Sequence, residues 1–146
     1  MLRRHRLVEL FLVKVLGLEW WEVHDEAEEL EHVISEKVLS KIDGLLGHPV
    51  ADPHGDPIPT ASGKVAQDAL DTFVTCPLNR RVEITRVLDQ EPRFLRFVDQ
   101  CGLVPGTKLL VKHRDTQADA VRLEPEGKAT LTLSTTVAGK FLVRRV

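Results

Sequence analysis

The residues of this sequence that could carry out chemistry are concentrated near its N terminus. The stretch WEVHDEAEELEHV, residues 21–33, contains two histidines and six acidic residues beside a regular apolar stripe. On a helical wheel, at about 100° per residue, four side chains that could bind a metal share an arc about 100° wide. They are His24, Glu28, Glu31 and His32. The apolar residues lie on the other side, so the stretch predicts a helix with one ligand-bearing face.

A second pair of ligand types precedes this stretch. His5 and Glu9 are four residues apart, which places both on the same face of a helix. An imidazole and a carboxylate one turn apart can bind the same divalent ion, and two such helices packed together could supply a full coordination shell. The combined set offers nitrogen and oxygen ligands without a thiolate, which favours octahedral Mn²⁺ or Fe²⁺ over a closed structural zinc site.

The alternative interpretation is an acidic helix face that is simply exposed to water. Asp25, Glu26 and Glu29 point away from the predicted ligand face and are interpreted as surface charge. The spacing by itself leaves the metal site and the solvated face both open.

Composition and charge restrict the class of protein. The formal net charge is −2, so the chain has no basic excess with which to hold nucleic acid. The two cysteines, Cys76 and Cys101, have no metal or redox spacing and indicate a reducing compartment. The first 18 residues include an apolar run, but Glu9 and Lys14 interrupt it and no small-residue cleavage site follows, so it does not read as a signal peptide. It is also too short to span a bilayer. We therefore expect a cytoplasmic protein that does not interact with membranes.

The N-terminal half reads as three helices followed by a turn-rich loop. The first is predicted over residues 2–18 and is apolar almost all round, so part of its cover is expected from a second subunit. The second is predicted over residues 20–33 and the third over residues 36–46, with Ser35 as its N-cap. Four prolines and three glycines then predict an ordered loop without regular structure.

The C-terminal half changes to a β-type pattern. Five short runs predict strands, and a helical insertion starts near Pro92 and stops at Gly102. This arrangement suggests a small, partly open barrel. The fold class is therefore α+β, with a helical domain at residues 1–59, a linker at 60–72 and a β domain at 73–146.

Other reactive side chains offer weaker signals. His48, His54 and His113 have no helical partner and are interpreted as turn or surface residues. The sequence lacks a nucleophile elbow, a phosphate-binding loop and a dinucleotide fingerprint, so an enzyme is not expected. A di-metal hydrolase is the remaining enzymatic alternative, because paired ions can activate water, but no separate general base accompanies the cluster.

Several motifs taken together resemble one known family. They are RRHRLVELFL, GLEWWEVHDEAEELEHVISEKVLSKID, HPVADPHGDPIP and FLRFVDQCGLVPGTKLLV. They resemble the metal-dependent transcriptional repressors of the diphtheria toxin repressor and manganese transport regulator type. The resemblance covers the whole chain: the first 59 residues are similar to the family's metal-binding and dimerisation domain. The remainder is similar to its SH3-like domain, which is related to the ferrous-transport accessory protein type A.

The resemblance implies two sets of metal ligands. His5, Glu9 and His24 match the ligands of one site, and Glu28, Glu31 and His32 match those of the other. The iron-sensing branch has cysteine at the position of Glu28, so the carboxylate there slightly favours Mn²⁺. The pairing of His24 with Glu9 resembles the iron-type ancillary site, and the choice between Mn²⁺ and Fe²⁺ stays open.

The resemblance also implies a function and two departures from the family. Members are homodimers that bind operator DNA when loaded with metal and so control metal homeostasis. Their winged helix-turn-helix domain is expected to precede this chain, so operator binding is expected of the full-length protein only. In iron-type members the SH3-like domain supplies two metal ligands. Thr85 and Leu88 occupy the corresponding positions in this sequence, with Asp89 nearby, so we expect no metal ligand from this domain. The alternative function is a stand-alone metal-binding and SH3-like interaction module that does not bind DNA.

Overall fold

The computed structural model describes residues 2–63 and 71–146, and the chain divides into two compact units. One unit comprises Met1–Gln67 with Gln90–Arg96, and the other comprises Asp68–Asp89 with Phe97–Val146. Part of the linker predicted at residues 60–72 lies outside the described residues, and the domain boundaries stay a prediction. None of the helices in the two described ranges is long and apolar enough to cross a membrane.

The first unit is built on three helices. They are α1 (Leu2–Lys14), α2 (Val23–Glu31) and α3 (Glu36–Leu45). Helix α1 packs against both of the others. The buried apolar residues that they share are Leu7, Val8, Leu10, Leu12, Val23, Ala27 and Leu39, joined by Ile58 from the loop that follows. Full burial of a leucine or valine side chain contributes about 1.5–3 kcal/mol, so this core fixes the position of α1.

Helices α1 and α2 are shorter than the sequence predicts. Helix α1 ends at Lys14 because the chain reverses at Gly17, whose φ is 77°, and the Leu18 amide donates to the Leu12 carbonyl at 3.0 Å. This is the glycine-dependent stop that terminates many helices. The three residues after Glu19 form a turn, so α2 begins at Val23 rather than at Trp20.

The second unit is a six-stranded antiparallel sheet with two helices. Its strands are β1 (Asp71–Thr72), β2 (Val82–Val87), β3 (Lys108–Asp115), β4 (Ala120–Pro125), β5 (Leu131–Leu133) and β6 (Phe141–Arg145). Their order is β1-β6-β2-β3-β4-β5, with irregularities in the β2–β6 and β3–β4 registers. The helices are α4 (Pro92–Cys101), of which the residues from Phe97 onward belong to this unit, and the short α5 (Thr135–Ala138). The five predicted strands and the inserted helix are confirmed, and the α+β fold class with them.

Two elements of the second unit were not predicted, because each is too short to show a period. Strand β1 has two residues and lies within the stretch predicted as a linker. Helix α5 has four residues and depends on Ser134, whose side chain accepts a hydrogen bond from the Val137 amide at 3.2 Å. The sheet buries the alternate side chains of its strands, and the Phe73 and Phe141 rings stack within that core at a centroid separation of 5.1 Å.

The start of α3 gives a direct test of the local sequence reasoning. The Ser35 side chain accepts a hydrogen bond from the Val38 amide at 3.2 Å, as the sequence predicts for an N-cap. We expect Ser35→Ala to lower the free energy of unfolding by about 0.5–2 kcal/mol in chemical denaturation. Ser40→Ala, an exposed position inside the same helix, is the matched control and should not destabilise the protein. Equal stability of the two variants would contradict the capping role.

Candidate metal centre

Three predicted ligands meet where α1 and α2 face each other. His5 Nε2 lies 3.5 Å from Glu9 Oε2 and 3.2 Å from His24 Nδ1. The third side of this triangle, from His24 Nδ1 to Glu9 Oε2, is 4.0 Å. Glu9 lies within the core of the first unit, with 1% of its surface exposed, whereas His24 is largely exposed. The structure therefore brings together the first set of ligands, with one end of that set open to solvent.

Glu31 lies beside the same imidazole on its other edge. Its Oε2 is 3.4 Å from His5 Nδ1, and its Oε1 is 3.8 Å from His32 Nε2. The Glu31 carboxylate therefore flanks His5 Nδ1 through an ion-pair contact, while the other ring nitrogen, Nε2, faces Glu9.

Two residues that the sequence analysis did not select complete the group around Glu9. Asp52 and His54 come from the proline-rich loop after α3, and each is at least 95% buried. His54 Nδ1 lies 3.7 Å from Glu9 Oε2 and 3.7 Å from Asp52 Oδ2. His54 lies in a turn, which is one of the two interpretations, but its side chain is buried and directed inward, so the surface interpretation is wrong.

The loop is ordered by its own backbone and by one carboxylate. Asp52 Oδ1 accepts hydrogen bonds from the His54 and Asp56 amides, both at 2.9 Å. Gly55 provides the left-handed conformation that the turn requires, with φ of 86°. Asp52 therefore uses one oxygen to build the turn and directs the other, Oδ2, toward His54 and Glu9. An aspartate followed two residues later by histidine in a proline- and glycine-rich loop is the signal that could have identified this pair.

The tautomer of His54 is set by the chain before α2. His54 Nε2 donates a hydrogen bond to the Trp20 carbonyl at 2.7 Å, so this nitrogen carries a proton. In the neutral ring, Nδ1 is then a bare lone pair directed at Glu9 and Asp52. A histidine that donates one N–H to a backbone carbonyl and presents the other nitrogen is the usual arrangement of a metal-binding imidazole.

Four buried polar atoms around this point have no hydrogen-bond partner among residues 2–63 and 71–146. They are Glu9 Oε2, Glu31 Oε2, Asp52 Oδ2 and His54 Nδ1. All four are acceptors or can act as acceptors, and leaving such groups buried without compensation is costly. A cation that accepts lone pairs from several of them would satisfy the group. Ligand bonds of about 2.0–2.2 Å place adjacent ligand atoms about 3 Å apart, so separations of 3.2–4.0 Å suit a divalent ion after small adjustments.

The electrostatics of the group reflect the crowding of these residues. Contact with Glu9 raises the pKa of His5 against the opposing effect of burial, and Glu31 adds to that rise. Burial lowers the pKa of His54, but Asp52 and Glu9 raise it by more, so the net change is upward. Burial raises the pKa of the Glu9 carboxyl, while the contacts of Asp52 with His54 and Glu9 hold the Asp52 pKa below its usual range despite burial.

The second predicted set is not gathered in the same way. Glu28 is exposed, and it groups with His24 and Asp25 rather than with Glu31 and His32. His32 is 62% exposed, and its Nε2 lies 3.8 Å from Glu31 Oε1. Within the described residues, the groups close enough to share an ion do not include Glu28, Glu31 and His32 as a trio. Their assignment to one site stays a prediction.

The positions where iron-type members carry ligands in the SH3-like domain have other contacts here. Asp89 Oδ2 forms an ion pair with Lys140 Nζ at 2.7 Å, and the Thr85 hydroxyl donates to the Leu142 carbonyl at 3.1 Å. The Leu88 side chain has no ligand atom and is 46% exposed. These contacts belong to the second unit itself.

The direction of these pKa shifts predicts how the metal-free protein responds to pH. A histidine whose folded pKa is raised stabilises the fold below its unfolded pKa, near 6.5, and loses that contribution as the pH rises through the folded value. The raised pKa of Glu9 acts in the same direction, whereas the lowered pKa of Asp52 matters only at about pH 4 and below. We therefore expect the melting temperature to fall between about pH 6 and about pH 8.

The matched variants for this measurement are His54→Gln and His113→Gln. The first removes a buried imidazole and should flatten the pH dependence, while the second removes an exposed one and should leave it unchanged. A melting temperature that rises toward pH 8 in the metal-free protein, or an identical profile for the two variants, would contradict this electrostatic description.

Comparison with known proteins identifies relatives that match most of the chain. Residues 1–60 match the family described as iron dependent repressor, metal binding and dimerisation domain, and residues 72–145 match the FeoA domain. The chain is 49% identical over 157 aligned positions to the iron-dependent repressor IdeR of Mycobacterium tuberculosis, covering 99% of the chain and 67% of IdeR.

Two solved structures are also closely similar. One is a manganese-dependent transcriptional repressor, 38% identical with a TM-score of 0.93, covering 99% of this chain and 78% of that one. The other is a manganese-dependent transcriptional repressor in complex with manganese, 37% identical with a TM-score of 0.91, covering 99% of this chain and 69% of that one. The chain belongs to the diphtheria toxin repressor and manganese transport regulator family, and it matches the metal-binding, dimerisation and FeoA regions of those repressors.

Proposed function

We propose that this chain binds Mn²⁺ or Fe²⁺ at a centre formed by His5, Glu9, His24, Asp52 and His54, and that it is the sensing portion of a metal-dependent repressor. The observation that supports the proposal best is the buried, unsatisfied Glu9 Oε2. It lies 3.5–4.0 Å from nitrogen atoms of all three imidazoles. A cation bound between this carboxylate and the surrounding lone-pair donors would compensate for their burial in an apolar core.

Each residue has a distinct role in this proposal. Glu9 is common to both ligand groups, with His5 and His24 on the side of α2 and with Asp52 and His54 on the side of the loop. The donor set is composed of imidazole and carboxylate, which suits Mn²⁺ or Fe²⁺, and the carboxylate of Glu28 in place of a thiolate slightly favours Mn²⁺.

The second set stays part of the proposal on different grounds. Glu28, Glu31 and His32 match the other metal site of the family, which a ligand from the first DNA-binding helix completes. Their exposed position on α2 suits a site whose remaining ligands come from elsewhere in the protein. Glu31 then links the two sites, because its two oxygens face His5 and His32 respectively.

Metal binding can regulate this protein because the centre connects α1, α2 and the loop after α3. When bound, the ion supplies a positive charge that holds the lone pairs of α1, α2 and the loop together. Without it, the buried polar atoms of Glu9, Asp52 and His54 lack compensation, and these elements are held by their apolar contacts. Metal therefore favours one arrangement of the first unit, and a coupling of about 1–3 kcal/mol to a distant surface is typical of such switches.

Repression by the whole protein is also a proposal. The chain spans 67% of the length of IdeR, and about one third of that relative has no counterpart in these 146 residues. We propose that the full-length protein is a cytoplasmic homodimer that binds operator DNA in its metal-loaded form. These 146 residues supply the metal sensor and the dimer contact, and their net charge of −2 gives them no general affinity for DNA.

The metal centre is tested by calorimetry with Mn²⁺ on purified protein. Glu9→Gln keeps the size of the side chain but removes the shared negative charge. We expect it to weaken Mn²⁺ binding by more than the roughly 10–100-fold typical of outer-shell partners. His48→Gln is the matched control, because His48 is an exposed imidazole paired with Asp43. Wild-type affinity in Glu9→Gln, or an equal loss in both variants, would contradict the assignment.

The dimer contact is proposed at the C-terminal end of α1. Val15 and Leu16 are 48% and 58% exposed although they continue the apolar sequence of that helix. Phe11 lies one turn before Val15 on the same face and is half-buried. The match of residues 1–60 to a dimerisation domain supports a second copy of this chain as the partner that covers these side chains.

Sedimentation velocity tests this contact. We expect the wild type to sediment as a dimer and Val15→Glu to sediment as a monomer, because a carboxylate buried at an apolar interface without a partner is strongly unfavourable. Leu78→Glu, at a position 44% exposed in the second unit, should remain a dimer. A dimeric Val15→Glu would place the interface elsewhere.

A further inference from the structure

We propose that Arg4 and Arg6 are positioning residues for the metal centre, each holding a different ligand-bearing element against α1. This inference rests on the proposed function, because it assumes that the centre binds a metal. The two arginines flank the proposed ligand His5 in the segment RRHR. Their hydrogen bonds and ion pairs within the described residues are made with groups other than the proposed ligand atoms, so we infer that they act on metal binding through the elements that they hold.

Arg4 binds the C-terminal end of α2. Its Nη1 donates to the Glu31 carbonyl at 3.1 Å and also to the Ile34 carbonyl, and its Nη2 forms an ion pair with Glu36. One guanidinium therefore holds the last residue of α2, the turn that follows and the first residue of α3. Because the Glu31 carboxylate flanks His5 Nδ1, the same contact sets the distance between that carboxylate and the imidazole.

Helix α2 needs this contact more than most helices do. It has nine residues, its last turn contains no basic side chain, and Glu28, Glu29 and Glu31 lie near its negative end. Acidic residues at that end oppose the helix dipole, and a helix this short is marginal without tertiary contacts. The positive charge of Arg4, supplied from α1, compensates the end of the helix that carries Glu31 and His32.

Arg6 performs the corresponding task for the loop. Its Nη1 donates to the Pro57 carbonyl, and Pro57 pairs with Ala51 across the base of the loop. Asp52 and His54 lie between these two residues. The hydrogen bond therefore ties the base of the turn to α1, two residues after Arg4 and three before Glu9.

Arg3 supplies a natural contrast on the same helix. It forms an ion pair with Asp43 at 3.3 Å, and the exposed fractions of the two side chains are 23% and 20%. The exposed fraction of the Arg4 side chain is similar, at 18%. Asp43 belongs to α3, which contributes none of the proposed ligands. Loss of Arg3 should therefore cost stability without changing the geometry of the metal centre.

The experiment measures Mn²⁺ affinity by calorimetry and the stability of the metal-free protein by denaturation. We expect Arg4→Gln and Arg6→Gln each to weaken Mn²⁺ binding by about 10–100-fold, as outer-shell substitutions do. Arg3→Gln should destabilise the metal-free protein to a similar extent but leave the affinity at the wild-type value. Arg4→Lys retains the charge and one donor, so it should fold and recover part of the affinity.

Double variants separate positioning from general destabilisation. If Arg4 acts through Glu31, Arg4→Gln should have no further effect on affinity in a Glu31→Gln background, and Arg6→Gln none in a His54→Gln background. With the backgrounds exchanged, so that Arg4→Gln is combined with His54→Gln and Arg6→Gln with Glu31→Gln, the losses of Mn²⁺ affinity should be additive. Additive losses in every combination, or an affinity loss in Arg3→Gln equal to that in Arg4→Gln, would overturn the inference.

The outcome for the wild type distinguishes this inference from the proposed function. If the wild type binds Mn²⁺ and both Arg4→Gln and Arg6→Gln bind it equally well, only the positioning roles are overturned. If the wild-type protein itself fails to bind Mn²⁺, the metal centre is overturned and the positioning roles with it.

Discussion

The first unit depends on one buried negative charge. Glu9 lies on α1 between leucines that form the core, and 1% of its surface is exposed. Ionised carboxylates are strongly disfavoured in such surroundings unless they are paired, so the surrounding residues must compensate for it. His5 lies one turn earlier on α1, His24 approaches from α2, and His54 approaches from the loop. The packing of α2 and the loop against α1 is the way in which this carboxylate is accommodated.

This constraint also gives the unit a reason to respond to metal. Burial raises the pKa of the Glu9 carboxyl, contact with Glu9 raises the pKa of His5, and buried polar atoms of the group lack a hydrogen-bond partner. A divalent ion would compete with protons for these same atoms, so metal binding and pH act on one group of residues. The apolar core keeps the helices close enough for this exchange, while the arginines of α1 tie α2, α3 and the loop to one helix.

Helices and strands with a clear hydrophobic period could be predicted from the sequence, whereas very short elements and elements that depend on distant residues could not. The N-cap at Ser35, the five strands and the inserted helix follow from capping chemistry and alternation, which act over a few residues. The ends of α1 and α2 were less accurate, because turns at Gly17 and after Glu19 replace helical hydrogen bonds that the apolar pattern would allow. Strand β1 exists only because it pairs with β6, about 70 residues later in the chain.

The sequence by itself determined that α1 and α2 carry imidazole and carboxylate at helical spacing, because a 3.6-residue repeat places them on common faces. It therefore indicated His5, Glu9 and His24 and the class of ion. Only the tertiary structure decided that Asp52 and His54 join them, since a loop after α3 reaches Glu9 through folding rather than through any local period. It also decided that Glu31 turns toward His5 while Glu28 remains exposed, because packing against α1 buries one edge of α2 and not the other.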